Sequence, residues 1–388
     1  MLTVFLSIVM ITFSQSSFRI SETPIFKSAA DSIAFAKVNQ VYRTMMMERH
    51  SAEELDSVFM MIQELSKKGI TGYRKVYQPS PHYFPFDSLL LISHYDQVVH
   101  LSMDKKAFRK LPDLVFQCKN LQSLELVNTR LKRLPRKLKL LPKLESIYVL
   151  NNKPLHKLKL GKNETVKSLV FRGQNPSWIP SSFQAFKNLE KLDLAANELT
   201  SFPAGTSHNK KLKELILNNN YLTLEKDQLK LHSSLEKLDI QRNKINAIPS
   251  SIQKFPNLKR LSLNFNAIEK VSDDISSLTK LEQLSFYNNK LTAIPEGVYA
   301  LSNLREIDLY FNQIERLDDR FANLKALEVL FISNNRLISV SEAMGTMTNL
   351  KALYLSNNRL SDLPKSLGNL SDLKVLRINN NYLAQVPS

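Results

Sequence analysis

The sequence predicts an α/β solenoid, with a curved parallel sheet on its concave face and short helical turns on its convex face. Three observations predict it. The pattern LxxLxLxxNxL returns thirteen times, beginning at Val98, Leu121, Leu144, Val166, Leu189, Leu212, Leu235, Leu258, Leu281, Leu304, Leu327, Leu350 and Leu373. Every step is 23 residues except the one from Leu144 to Val166, which is 22. The second half of each copy reads LPxxIxxLxxL, with proline in the same slot in eight of thirteen copies. A fixed period of this size marks a stack of identical units, none of which can bury its leucines alone.

Each element of the unit has a physical reason. In the copy starting at Leu235, Leu238 and Ile240 stand two apart and share one face of a short strand, while Asp239 faces the other way. Asn243 follows, where its amide can satisfy backbone groups of the turn and of the neighbouring copy. Asparagine recurs there from Asn152 and Asn197 through Asn220, Asn266, Asn289, Asn312, Asn335 and Asn358 to Asn381. These are read as structural, not as ligand-binding residues. Pro112, Pro135, Pro180, Pro203, Pro249, Pro295, Pro364 and Pro387 lack an N–H and have φ fixed, which suits entry into a short helical turn.

These residues resemble the leucine-rich-repeat superfamily, in its 23-residue LPxxI class, which includes Ras-suppressor, scribble and plant disease-resistance-type repeats with bacterial relatives. The resemblance implies a leucine-rich-repeat solenoid over 98–388 and an interaction surface; it implies no chemistry. Lys106, Thr129 and Gln174 depart from it at the asparagine position, as does the shortened copy at 144–165, so the first four repeats should be less regular.

Ahead of the repeats, Leu2 to Phe13 form an apolar run ending at Ser14-Gln15-Ser16, which predicts a signal peptide at 1–16. The run is too short to span a bilayer comfortably. Residues 17–97 fit no repeat and predict a helical N-terminal cap with a connector. Ala34, Val38, Val41, Tyr42, Met45 and Met46 keep helical spacing. Ser51 and Glu54 form a capping box before Leu55, Val58, Phe59, Ile62 and Leu65. Gly72 to Gln97, rich in proline and tyrosine, reads as the connector.

Composition excludes more than it assigns. No GxGxxG or P-loop arrangement occurs among the 8 glycines, and no HExxH or GxSxG motif is present. No catalytic residue, metal site or cofactor is therefore expected, and the chain is read as not an enzyme. The single cysteine, Cys118, permits no intramolecular disulfide and reads as a core residue. The formal net charge of +17 favours acidic partners.

Two surfaces stand out. At the outward positions of repeats eight to twelve, Phe265, Tyr287, Tyr310, Phe311, Phe331 and Tyr354 collect, with Arg242 and Arg377 near the ends. Aromatic groups on a solvated sheet face read as a contact surface. Phe265 and Phe311 could instead tuck inside as a phenylalanine spine. Asp239 and Asp308, with Asp193 and Glu214, alternate with Lys191, Lys237 and Arg260 and read as a solvated, partner-selecting ladder. The second surface is basic: seventeen Lys or Arg against five Asp or Glu lie between Asp104 and Lys167, with Arg130, Lys132, Arg133, Arg136, Lys137 and Lys139 in one repeat. It lacks interleaved stacking aromatics, so specific nucleic-acid recognition is not expected.

The functional expectation is a non-catalytic interaction scaffold that binds a protein on the concave face, secreted, periplasmic or at the cell surface. One alternative is a surface adhesin that binds an anionic glycan or other polyanion through the basic repeats. Another is an intracellular, cytoplasmic signalling scaffold.

Overall fold

Leucines spaced to fill one layer per repeat build one continuous core, and the sheet follows from it. The computed structural model describes residues 19–26, 70–78, 82–104, 108–151, 159–173, 183–224 and 229–384, the first two stretches by their backbone alone. The chain divides into two compact units, Met1–Tyr83 and Phe84–Ser388.

In the first unit, Arg19–Phe26 pairs antiparallel with Ile70–Gln78, Arg19 opposite Gln78. The second of these strands contains Tyr73, Val76 and Tyr77, residue types that favour extended backbone. It falls inside the region expected to be helical cap and connector, so a strand pair belongs to that region. The two expected helices and the apolar run at 1–16 lie outside the described residues.

In the second unit, a 14-stranded parallel sheet runs in chain order from Phe84–Pro85 to Val375–Arg377. The sheet thus begins before the first recognised repeat, at Phe84. Register is set by the repeat: Leu215 lies opposite Leu238, Leu238 opposite Leu261 and Leu261 opposite Leu284. Within one copy Leu235, Leu238, Ile240, Ile245, Ile248, Ile252 and Phe255 are all buried. Each buried side chain of this size contributes about 1.5–3 kcal/mol.

The convex half turns as the prolines predict. Pro112, Pro135, Pro203, Pro249, Pro295 and Pro364 each stand immediately before a five-residue 3-10 turn. Where proline is missing, a capping side chain takes its place. Ser272, Asp318 and Ser341 accept hydrogen bonds from the amides of Asp274, Arg320 and Ala343. Proline removes a donor that would go unsatisfied at the turn entrance, and these side chains satisfy one.

The asparagine ladder is structural. The Asn312 amide donates to the carbonyls of Phe286 (2.9 Å) and Leu309 (3.1 Å), and its oxygen accepts from Leu291 N (3.0 Å). Asn220, Asn243, Asn289, Asn335, Asn358 and Asn381 repeat this pattern. A second ladder runs just before the first leucine, where Asn120, Asn188, Asn257, Asn303 and Asn349 each donate to a carbonyl 24 residues back. It is not legible in the sequence, because lysine, serine and threonine share the slot.

The first four repeats do differ. Their strands, His100–Asp104, Ser123–Val127, Ser146–Leu150 and Ser168–Arg172, are five residues long, against three from Lys191–Asp193 onward. Three of the four lack asparagine at the ninth position. In later repeats that amide donates to the sixth-position carbonyl, as Asn312 does to Leu309.

The column three residues before the first leucine is mostly apolar, with Phe186, Phe255, Leu278, Leu301 and Leu324 all buried. Cys118 sits in it, fully buried, and burial pushes its thiol up to about 11. Asn163, Asn209 and His232 interrupt it. His232 bonds Thr206 Oγ1 (3.0 Å) and stacks on Phe255, and burial holds its pKa down at about 4.

Candidate recognition surface

Along each strand the fourth position enters the core and the third and fifth face outward. Register then places Asp239, Ser262, Ser285, Asp308, Phe331, Tyr354 and Arg377 side by side across seven strands. The seventh and eighth positions lie just past the strands, and the eighth has a backbone that the residue pattern alone does not reveal. Its φ is positive at Asn128, Gly173, Ala196, Asn219, Arg242, Phe265, Asn288, Phe311, Asn334, Asn357 and Asn380. The left-handed region suits glycine and asparagine and costs other residues about 1–2 kcal/mol. The geometry lets the eighth amide reach the next repeat, as when Phe265 N donates to Tyr287 O at 2.8 Å and Arg242 N to Asn264 O at 2.7 Å. Three large side chains, Arg242, Phe265 and Phe311, occupy a position where most copies have asparagine or glycine. Aligning that column would have exposed them.

The aromatic residues form one connected row. The Phe265 and Tyr287 ring centroids are 4.9 Å apart, and those of Tyr287 and Phe311 5.4 Å. Tyr310 lies 5.6 Å from Phe331, which stacks on Tyr354 at 4.8 Å. Tyr310 also reaches Tyr287 and Tyr354, both at 6.4 Å, and is itself buried. At one end the Arg242 guanidinium covers the Phe265 ring at 4.2 Å, and at the other exposed Arg377 stands beside Tyr354 in register. Phe265 and Phe311 are half-buried and outside the core, whose fully buried phenylalanines are Phe171, Phe183, Phe186, Phe255, Phe286 and Phe321. The spine reading does not hold for these two. Burial, with Asp308 nearby, raises the Tyr287 hydroxyl pKa well above the ordinary tyrosine value.

The solvated ladder requires correction. Asp193, Asp239 and Asp308 accept from the amides two residues on, those of Ala195 (2.9 Å), Gln241 (3.2 Å) and Tyr310 (3.1 Å). Aspartate is short enough to close this local ring, so the fifth-position carboxylates fasten strand ends. Asp193 also holds the buried Arg172, and Ser285 donates to Asp308 at 3.1 Å. Burial raises the pKa of both Asp239 and Asp308, the latter to about 6. The charged row lies one column over, where Lys191 pairs with Glu214 at 2.9 Å and Gln283 donates to Glu306 at 3.0 Å.

The basic residues fall on the other side. Arg130, Lys132, Arg133, Arg136, Lys137 and Lys139 are all exposed, and the last three lie within the convex turn Arg136–Leu140. Among the described residues no cluster of three or more His, Cys, Asp or Glu could hold a metal, and no helix is long and apolar enough to cross a membrane.

Comparison with known proteins agrees with this architecture. The leucine-rich-repeat family profile matches residues 233–291 and 279–337, and a profile of two such repeats matches 348–388. A leucine-rich-repeat protein of Leptospira interrogans is similar at 25% identity, with a TM-score of 0.57, over 78% of this chain and 90% of that one. An internalin of Listeria monocytogenes is similar at 19% identity and a TM-score of 0.58, over 77% and 88%. The structure of the Drosophila Toll–Spatzle complex matches at 22% identity and 0.59, over 76% of this chain and 46% of that chain. No curated protein sequence matches. The chain carries leucine-rich repeats and folds as a leucine-rich-repeat solenoid. Such repeats serve in general as protein-interaction surfaces, and no enzyme family is indicated.

Proposed function

We propose that this protein is a non-catalytic recognition scaffold, exported to the cell surface or beyond, that captures a protein partner on the concave row from Phe265 to Tyr354. The observation that carries this reading is the unbroken ring contact across five successive repeats, with Phe265 and Phe311 held in a backbone conformation unfavourable to them. An apolar row with an arginine at either end matches the make-up of binding hot spots, where aromatic and arginine side chains dominate. Asp308 acts beneath it as a positioning residue, fastening the turn that bears Tyr310.

The test is affinity capture with the full chain beside a variant carrying Tyr287→Ala, Phe331→Ala and Tyr354→Ala. A protein retained by the first and lost by the second, with the variant's melting transition still cooperative, supports the reading. Retention of the same protein by the folded variant overturns the site.

A further inference from the structure

The convex side of the second repeat has a feature that the concave site does not use. Arg130, Lys132, Arg133, Arg136 and Lys139 are exposed, and among the described residues none of them has an acidic partner. Lys137 alone is paired, with Asp113 at 2.7 Å. Several cations of later repeats are paired across the stack: Lys290 meets Glu269, Arg320 meets both Glu296 and Asp318, and Lys351 meets Glu328. Arg133–Leu134 pairs in register with Lys159–Leu160, so two cations stand directly opposite each other, a placement that destabilises a strand pair.

Apolar side chains accompany the charge. The turn Arg136–Leu140 ends in Leu140, which is 45% exposed among these cations. The turn Phe86–Leu91 ends in Leu91, 85% exposed. Several other convex turns end in polar residues, among them Gln117, Ser277 and Asn369, although Leu231, at the position matching Leu140, is also exposed. Exposed leucine within a cationic patch gains nothing from a hydrophilic polymer, but at a lipid interface it leaves water while lysine stems reach the phosphates. A convex face also meets a plane readily and cannot enclose a chain.

We propose that the convex side of the first repeats docks on a membrane surface bearing anionic phospholipids, with the cations facing headgroup phosphates and Leu140 entering the interface. The surface is separate from the concave row, so either can fail without the other.

The experiment is co-sedimentation of the full chain with phosphatidylcholine vesicles, with and without added phosphatidylglycerol. Each cation near such a surface contributes about fivefold to partitioning, so Arg133→Glu with Arg136→Glu and Lys139→Glu should lower binding by more than about 100-fold. Leu140→Gln leaves the charge untouched and should still weaken vesicle binding several-fold, a change that a purely electrostatic polymer site would not show. Both variants alter exposed side chains, and a thermal melt confirms that each is folded. Equal binding to neutral and anionic vesicles, binding that survives charge reversal, or retention on heparin with no vesicle binding would each overturn the proposal.

Discussion

The first four repeats and those that follow are one sequence pattern carried out in two ways. In the first four, strands run five residues, three copies lack the ladder asparagine, and the exposed cations of the second repeat, Lys137 apart, have no acidic partner among the described residues. From Leu189 onward, strands shorten to three residues, asparagine amides link each repeat to the one before, and several surface charges pair across the 23-residue spacing. The leucine positions are the same throughout. The core period therefore sets the fold, while the ninth position and the surface decide how tightly neighbouring copies are tied and what each face offers.

The largest test of that contrast is Asn312→Ala, which removes the donated bonds to Phe286 and Leu309, a longer one to Tyr310 (3.3 Å) and one accepted bond inside the protein. It should cost about 3 kcal/mol in urea unfolding, counting roughly 1 kcal/mol for each of the three shorter bonds. Thr129→Ala, at the matching position of the second repeat, should cost less than half as much. Equal losses would mean that the ladder does not distinguish the two sections.

Next is the column in which Asn163, Asn209 and His232 interrupt the apolar residues. His232 has a folded pKa of about 4 against an ordinary 6.5. Its contribution is whole above pH 6.5 and is lost as pH falls toward 4, because the unfolded imidazole takes a proton that the buried one refuses. The loss over that window should be about 2–3 kcal/mol, and His232→Leu should flatten that part of the stability profile. A profile of unchanged slope in the variant would remove His232 from the account.

A smaller effect tests how closely turns stack. A methyl added at Gly345 would collide with the Ser366 carbonyl oxygen, whereas Gly368, one repeat on, has nothing within 4 Å. Gly345→Ala should cost about 1–3 kcal/mol and lower Tm, while Gly368→Ala should leave it level or slightly raised.

The smallest expected change has the opposite sign. Phe265→Asn replaces a residue poorly suited to its positive φ of 54° with the type found at Asn288 and Asn334. It should stabilise the protein by about 1 kcal/mol. Joined with lost capture of the partner, this gain would mark Phe265 as kept for binding at the expense of folding.

Much of this was legible in the residues. Leucine spacing yielded the parallel sheet and its register, because a two-residue alternation leaves one choice of inner face. Proline placed the turn entrances, and the asparagine column read correctly as structural. The aromatic row was visible as residue types, yet Tyr310's central, buried place within it was not, since ring contacts depend on how adjacent strands stagger. The charged ladder was misread at Asp193, Asp239 and Asp308 because alternation along a strand was weighed without the local bond from an aspartate to the amide two residues on.

The sequence by itself determined the repeat, its core and the separation of aromatic from basic surface, since these follow from period and composition alone. Only the tertiary structure decided which carboxylates fasten the backbone, which cations go unpaired and which side chains occupy a left-handed position. The carboxylates act through a local bond to the amide two residues on, and the other outcomes depend on what neighbouring repeats, about one period away in the chain, place within a few ångströms.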